Sequence, residues 1–115
     1  MTEFWRLVFL MLAGHALADF GLQSDRMSFS KRRDNPAVDT AGLPVWWMWL
    51  GAHALMHGGA VAVVTGVWWL GLLETVFHCL IDSFRGPGIT PPAWLDQAMH
   101  AFCKLAWALI ALEVT

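Results

Sequence analysis

The sequence predicts an all-α protein, an integral membrane bundle of four antiparallel helices, and three observations carry that expectation. Of 115 residues, 57% are apolar and only 14% are charged, against about 25% charged in a soluble domain. No Asp, Glu, Lys or Arg occurs in residues 40–73, a run longer than the about 20 apolar residues that one bilayer crossing needs. Polar or Gly/Pro-rich segments interrupt the apolar sequence at three places, which divides one transmembrane domain, residues 1–115, into four helix-length pieces.

The first helix is expected over about residues 4–23, ending where charge, Asn35 and Pro36 break the apolar pattern of the 24–43 loop. His15 and Asp19 interrupt its apolar run, so it reads as a retained helix rather than a removed signal. The second, over 44–64, starts at Pro44, a residue favoured in the first helical turn, and carries Gly58, Gly59 and Ala60, which let a neighbouring helix approach closely. Thr65 and Gly66 form the expected turn into a third helix over 67–85, which Gly86, Pro87 and Gly88 stop. Thr90 caps a fourth helix over 92–112, opened by Pro91 or Pro92.

Arg26, Lys31, Arg32 and Arg33 lie in the first loop and Arg85 in the third, whereas the turn between helices two and three has no basic residue. By the positive-inside rule, loops one and three face the cytoplasm of a bacterial inner membrane that the chain crosses several times. The eight Trp read as an interfacial belt, with Trp46, Trp47 and Trp94 at the inner side and Trp5, Trp68 and Trp69 at the outer. A net charge of −2 recommends no nucleic-acid partner. Cys79 and Cys103 stand in apolar segments without CxxC spacing and read as small buried hydrophobes, with no disulfide expected.

A second pattern lies inside the apolar helices: His15 and Asp19, then His53 and His57, then Glu74, His78 and Asp82, then Asp96 and His100. Every spacing is four, so each helix presents one stripe of ionisable groups on a single face. Counted from the cytoplasmic helix ends, His15, His53, His78 and His100 all fall at roughly 9 to 14 Å depth, and Asp19, Asp82 and Asp96 at roughly 3 to 8 Å. His57 and Glu74 lie deeper, where Lys104, one turn beyond His100, is able to pair with Glu74. Gln23 extends the first stripe, and Gln97 lies beside Asp96 but off its stripe, fit for packing or an interhelical hydrogen bond.

A charge at the centre of a membrane helix costs about 2.5 to 3.5 kcal/mol, so several carboxylates there require neutralisation. A set of imidazoles and carboxylates on facing helices suits a divalent transition metal, zinc first with manganese or iron as alternatives. The expected metal ligands are His15, Asp19, His53, His57, His78, Asp82, Asp96 and His100, enough for two ions. A metal-free polar network joining the helices is the competing reading.

The segments of pattern HxxxDFxLQ from His15, HxxIDxxR from His78 and DQxxH from Asp96 resemble an uncharacterised family of small bacterial and prophage polytopic membrane proteins, domain of unknown function 3307. The likeness spans nearly the whole chain, departs from the family where Lys often replaces Arg85, and implies the same fold and polar stripe without an established activity. A looser likeness, in composition and His/Asp usage, is to small membrane proteins labelled metal-dependent hydrolases.

Three functions follow as expectations. The first is a metal-dependent hydrolase acting on a lipid-like substrate at the cytoplasmic interface, with Glu74 or Asp96 as the catalytic base. The second is metal or proton handling along a polar column that includes His57, Glu74 and Lys104. The third is a non-enzymatic interaction protein, of phage or host, with a structural metal and a membrane protein partner at its Arg-rich first loop. Membrane lipids are partners in every case, and a second copy of the chain, docked on the small-residue face of helix two, would enlarge a site that 115 residues barely enclose.

Overall fold

The computed structural model describes residues 1–33, 42, 45–84 and 91–115, and all regular structure among them is helical. Helix α1 spans Thr2–Ala16 and runs on through a π-helical turn, Leu17–Gly21, in which the Leu22 amide donates to the Leu17 carbonyl at 2.8 Å. Short α2 spans Asp25–Ser30, α3 Trp46–Thr65, α4 Trp68–Ser83 and α5 Ala93–Val114. The residues expected to begin helix two, Pro44, and to separate helices three and four, Arg85, Gly86, Pro87, Gly88 and Thr90, lie outside the described residues.

The termini follow local chemistry. Gly66 adopts φ 72°, a left-handed cap that only glycine takes without strain, and its amide donates to the Ala62 carbonyl at 2.9 Å. The Thr65 hydroxyl donates to Val61 and accepts from the Val67 amide, which closes the α3–α4 turn. Helix α2 was not among the four expected elements. Ser24 caps it, its Oγ accepting from the Met27 amide at 3.1 Å.

Helix α1 packs on α3 and α5, and α4 packs on the same two, so the four long helices close a ring, while α2 lies against α3. The tightest crossing joins α3 to α4 at Gly58 and Gly71. A Cβ built on Gly58 would lie 2.4 Å from the Gly71 carbonyl oxygen, and one on Gly71 2.6 Å from that of Gly58. Gly14 meets Ala60 across the α1–α3 contact. The small-residue face expected to receive a second copy is therefore largely consumed inside the bundle, with Gly59 left open.

One end of the ring is filled by an apolar cluster of Leu7, Val8, Met11, Val61, Val67, Leu70, Trp107, Ala108 and Ala111. The middle and the other end are polar inside: His15, His53, His57, Glu74, His78, Asp96, His100 and Lys104 are all buried. The outside is apolar, with Phe20 81%, Val63 84%, Trp68 71% and Phe102 71% exposed. Trp107 departs from the interfacial belt expected of the tryptophans, since it sits inside the bundle. Among the described residues, two stretches, Thr2–Gly21 and Trp46–Thr65, are long and apolar enough, by length and composition, to cross a membrane.

Candidate metal centre

The i, i+4 spacing does locally what the sequence requires of it, turning each stripe into the ring. From α1 and its π-turn, Asp19 reaches Nε2 of His15 at 3.2 Å, of His53 at 3.3 Å and of His57 at 3.0 Å. From α4, Asp82 lies 3.3 Å from His100 Nε2 and 3.8 Å from Nε2 of both His53 and His78. The five imidazoles form one contiguous cluster: His57, His78 and His100 are stacked, with ring centroids 3.8 Å apart for His57 and His78 and 4.2 Å for His78 and His100, while His53 meets His57 and His78 edge-on and His15 lies tilted against His57, His78 and His100. A π-turn inserts an extra residue into the helical repeat, a device that often marks a site where a side chain must be re-aimed, and here it carries Asp19.

Six buried imidazole nitrogens have no hydrogen-bond partner among the described residues: Nδ1 of His15, His53, His57 and His100, and Nε2 of His53 and His78. His53 Nε2 is near Asp19 but not aligned for a hydrogen bond. Leaving a buried polar group unmet costs about 1–3 kcal/mol, so six in one cluster are a large debit for so small a fold. Nitrogen lone pairs that converge beside carboxylates are the donor set of a transition-metal site.

The eight expected ligands fall into three overlapping groups whose ligand atoms lie within 4.8 Å of one another. One is Asp19, His53, His57 and His78; another is His15, His78 and His100; the last is Asp82, Asp96 and His100. The first and last share no residue. His57, the deepest of the expected imidazoles, belongs to the four-residue group.

Glu74 stands apart from these groups. Its Oε1 receives the Lys104 ammonium and lies 3.3 Å from His78 Nδ1, and its Oε2 accepts from Trp107 Nε1 at 2.6 Å. Both oxygens are engaged, so Glu74 is arranged to hold His78 with Nε2 turned toward the cluster rather than to serve as the free base expected of it. This carboxylate–imidazole relay is the usual way a metal-binding ring is fixed in tautomer and orientation. Gln97 forms the expected interhelical bonds: its Oε1 faces His15 Nε2 at 3.2 Å, and its Nε2 donates to Asp19 Oδ2 at 3.4 Å. Gln23 is a helix-end amide, donating to the Asp19 carbonyl.

Sequence reasoning did not find Lys31. At the end of α2 it donates to Asp82 Oδ2 at 2.9 Å, with its side chain 14% exposed. Arg26 and Arg33 lie over the rings of Trp49 and Trp46 at 5.8 and 5.9 Å, which fastens the basic segment to the start of α3. Lys104 pairs with Glu74 and Lys31 with Asp82, one lysine at each end of the cluster. Cys79 and Cys103 are free thiols, half-buried rather than buried.

No family model, curated protein or solved structure matches the chain.

Proposed function

We propose that the protein is a multi-pass protein of the bacterial inner membrane that holds divalent transition metal in its His/Asp cluster and hydrolyses a lipid-like substrate at the cytoplasmic interface. The observation that carries this reading is the set of six unmet imidazole nitrogens, buried beside carboxylates from α1, α4 and α5. The bilayer part is supported by an apolar exterior around an interior whose middle and one end are polar. The motif resemblance to domain of unknown function 3307 belongs to the same proposal.

Zinc fits the donor set best, because imidazole and carboxylate both suit it and no thiol is needed. Asp19, His53, His57 and His78 would hold one ion, and Asp82, Asp96 and His100 a second. When bound, such ions lower the pKa of a coordinated water and polarise an ester, amide or phosphoryl oxygen. Asp96 is the base of this account, Glu74 a positioning residue acting through His78.

The closed end of the bundle argues for chemistry at one face over passage across it. Beyond Glu74 and Lys104 the interior becomes the apolar cluster around Met11 and Leu70, and the polar column stops. Substrate reaches the cluster from the Lys31 and Asp82 end, where lipid headgroups lie in the expected orientation.

The test is elemental analysis of protein purified in mild detergent without chelator, beside a His78→Ala, Asp96→Ala double variant. One to two equivalents of a transition metal, lost in the double variant, support the reading and open a screen of lipid esters and lipid phosphates. Absence of metal from the wild type overturns it in favour of a hydrogen-bonded polar core.

A further inference from the structure

Helix α2 and the residues that follow it bridge α3 and α4 at the polar end of the bundle. Near the start of α2, Arg26 sits over the Trp49 ring at 5.8 Å, and just past its end Lys31 donates to Asp82 Oδ2 at 2.9 Å. Two residues further, Arg33 sits over the Trp46 ring at 5.9 Å. Trp46 and Trp49 stand three residues apart in the first turn of α3, so they share a face, and that face continues through His53 and His57 at spacings of four. The two rings are thus the outward end of the histidine stripe, with Trp49 about one helical turn, roughly 5.4 Å, from His53.

The chemistry of this collar is that of an anion receptor at a bilayer surface. A cation over an aromatic ring is held by charge and quadrupole, which consumes none of the guanidinium N–H donors, and both Arg26 and Arg33 are exposed. Planar guanidinium forks match phosphate oxygens two at a time, which a lysine ammonium does not. Residues 24–33 carry four basic side chains against one acidic, Asp25. Each basic group beside a membrane surface attracts anionic lipid by about 1 kcal/mol. Leu22 and Trp47, which flank the segment and the start of α3, are exposed and apolar, a surface suited to acyl chains.

Resting on the hydrolase reading above, we infer that Arg26 and Arg33, seated on Trp49 and Trp46, form the headgroup pocket of the site, and that the substrate is a lipid bearing an anionic phosphate. The two guanidinium groups hold the phosphate, and the acyl chains stay in the bilayer against Leu22 and Trp47. A phosphate held over Trp49 brings the linkages next to it to the His53 end of the stripe, where the metal ligands begin. Lys31 adds positive charge at the rim without leaving Asp82, because an ammonium has three donors. A neutral lipid lacks the group that the collar reads and is discriminated against in binding, before any chemistry.

Native mass spectrometry of the full-length protein in nonionic detergent tests this, counting bound lipids as phosphatidic acid, phosphatidylcholine or diacylglycerol is titrated in. The wild type is expected to bind the first phosphatidic acid about tenfold or more tightly than either of the others. Arg26→Gln with Arg33→Gln should remove that preference and leave metal content unchanged, which also shows that the variant is folded. Trp46→Leu with Trp49→Leu should remove most of it with every charge in place. Inorganic phosphate, equimolar with the lipid and at matched ionic strength, should displace none. Equal binding of phosphatidic acid by wild type and the arginine variant overturns the inference. So does a tryptophan variant that binds as wild type while the arginine variant fails, because net charge alone would then carry the preference. Displacement by inorganic phosphate would make the collar a site for the free anion and overturn the lipid assignment. Metal content on the same preparations separates the two claims: metal without a phosphatidic acid preference sinks this inference alone. A preference without metal sinks the hydrolase reading, and the role of the collar as a substrate pocket with it.

Discussion

Lys104 and Glu74 form an ion pair sealed inside the bundle, each side chain 1% exposed, with Trp107 donating to the far oxygen of the carboxylate. The pair separates the apolar end of the interior from the histidine cluster and fixes His78 through its Nδ1. Removing one member strands the other charge where no solvent reaches it.

Lys104→Met and Glu74→Gln are each accordingly expected to destabilise the protein by about 3–5 kcal/mol, since each leaves a buried charge without its partner. The double variant should be more stable than Lys104→Met alone, since it buries no unpaired charge. Thermal unfolding in a fixed detergent checks the order, and a double variant no better than Lys104→Met would show that the pair is not the interaction at stake.

At the α3–α4 crossing, Gly58→Ala and Gly71→Ala each drive a methyl into backbone oxygen, 2.4 and 2.6 Å away in the two cases. Overpacking of this kind costs about 1–3 kcal/mol or more, because rigid helices must separate. Gly59→Ala, on the open side of α3, meets nothing within 4 Å and should gain about 0.5–1 kcal/mol from helix propensity. Melting temperatures that fail to separate Gly58 from Gly59 would contradict the packing described.

Ligand variants should divide by group. His57→Ala removes a member of the Asp19, His53, His57 and His78 group and is expected to abolish the ion held there, whereas Asp96→Asn should retain that ion and lose hydrolysis. Glu74→Ala should weaken metal binding by about 10- to 100-fold through the freed His78 ring. Metal content and turnover measured on the same preparations check all three, and loss of every ion in Asp96→Asn would mean that the groups do not act separately.

The stripes were legible because spacing of four is a helical property that tertiary packing does not alter, and every expected ligand falls in one of the three groups. The Lys104 pairing was legible for the same reason. Lys31 was not, because α2 has six residues and no apolar period, so its basic run read as solvated loop. Only Ser24, a cap before Met27, signalled a helix there. Trp107 was read with the other tryptophans as interfacial, although it continues the face of Asp96, His100 and Lys104 and so belonged to the interior stripe. The Glu74 role depended on both α5 partners at once, which spacing on its own helix does not reveal. The four crossings expected from composition exceed the two stretches that, among the described residues, are apolar and long enough on their own, since α4 has 16 residues and the ionisable stripe lowers the hydropathy of α5.

X-ray absorption at the edge of whichever metal co-purifies tests the central claim most directly. The expected spectrum has a first shell of nitrogen and oxygen at about 2.0–2.1 Å, outer-shell scattering from two or three imidazoles per ion, and no sulfur at about 2.3 Å. A shell of oxygen without imidazole scattering, or one containing sulfur, would place the metal elsewhere and contradict the assignment of the histidine cluster as its site.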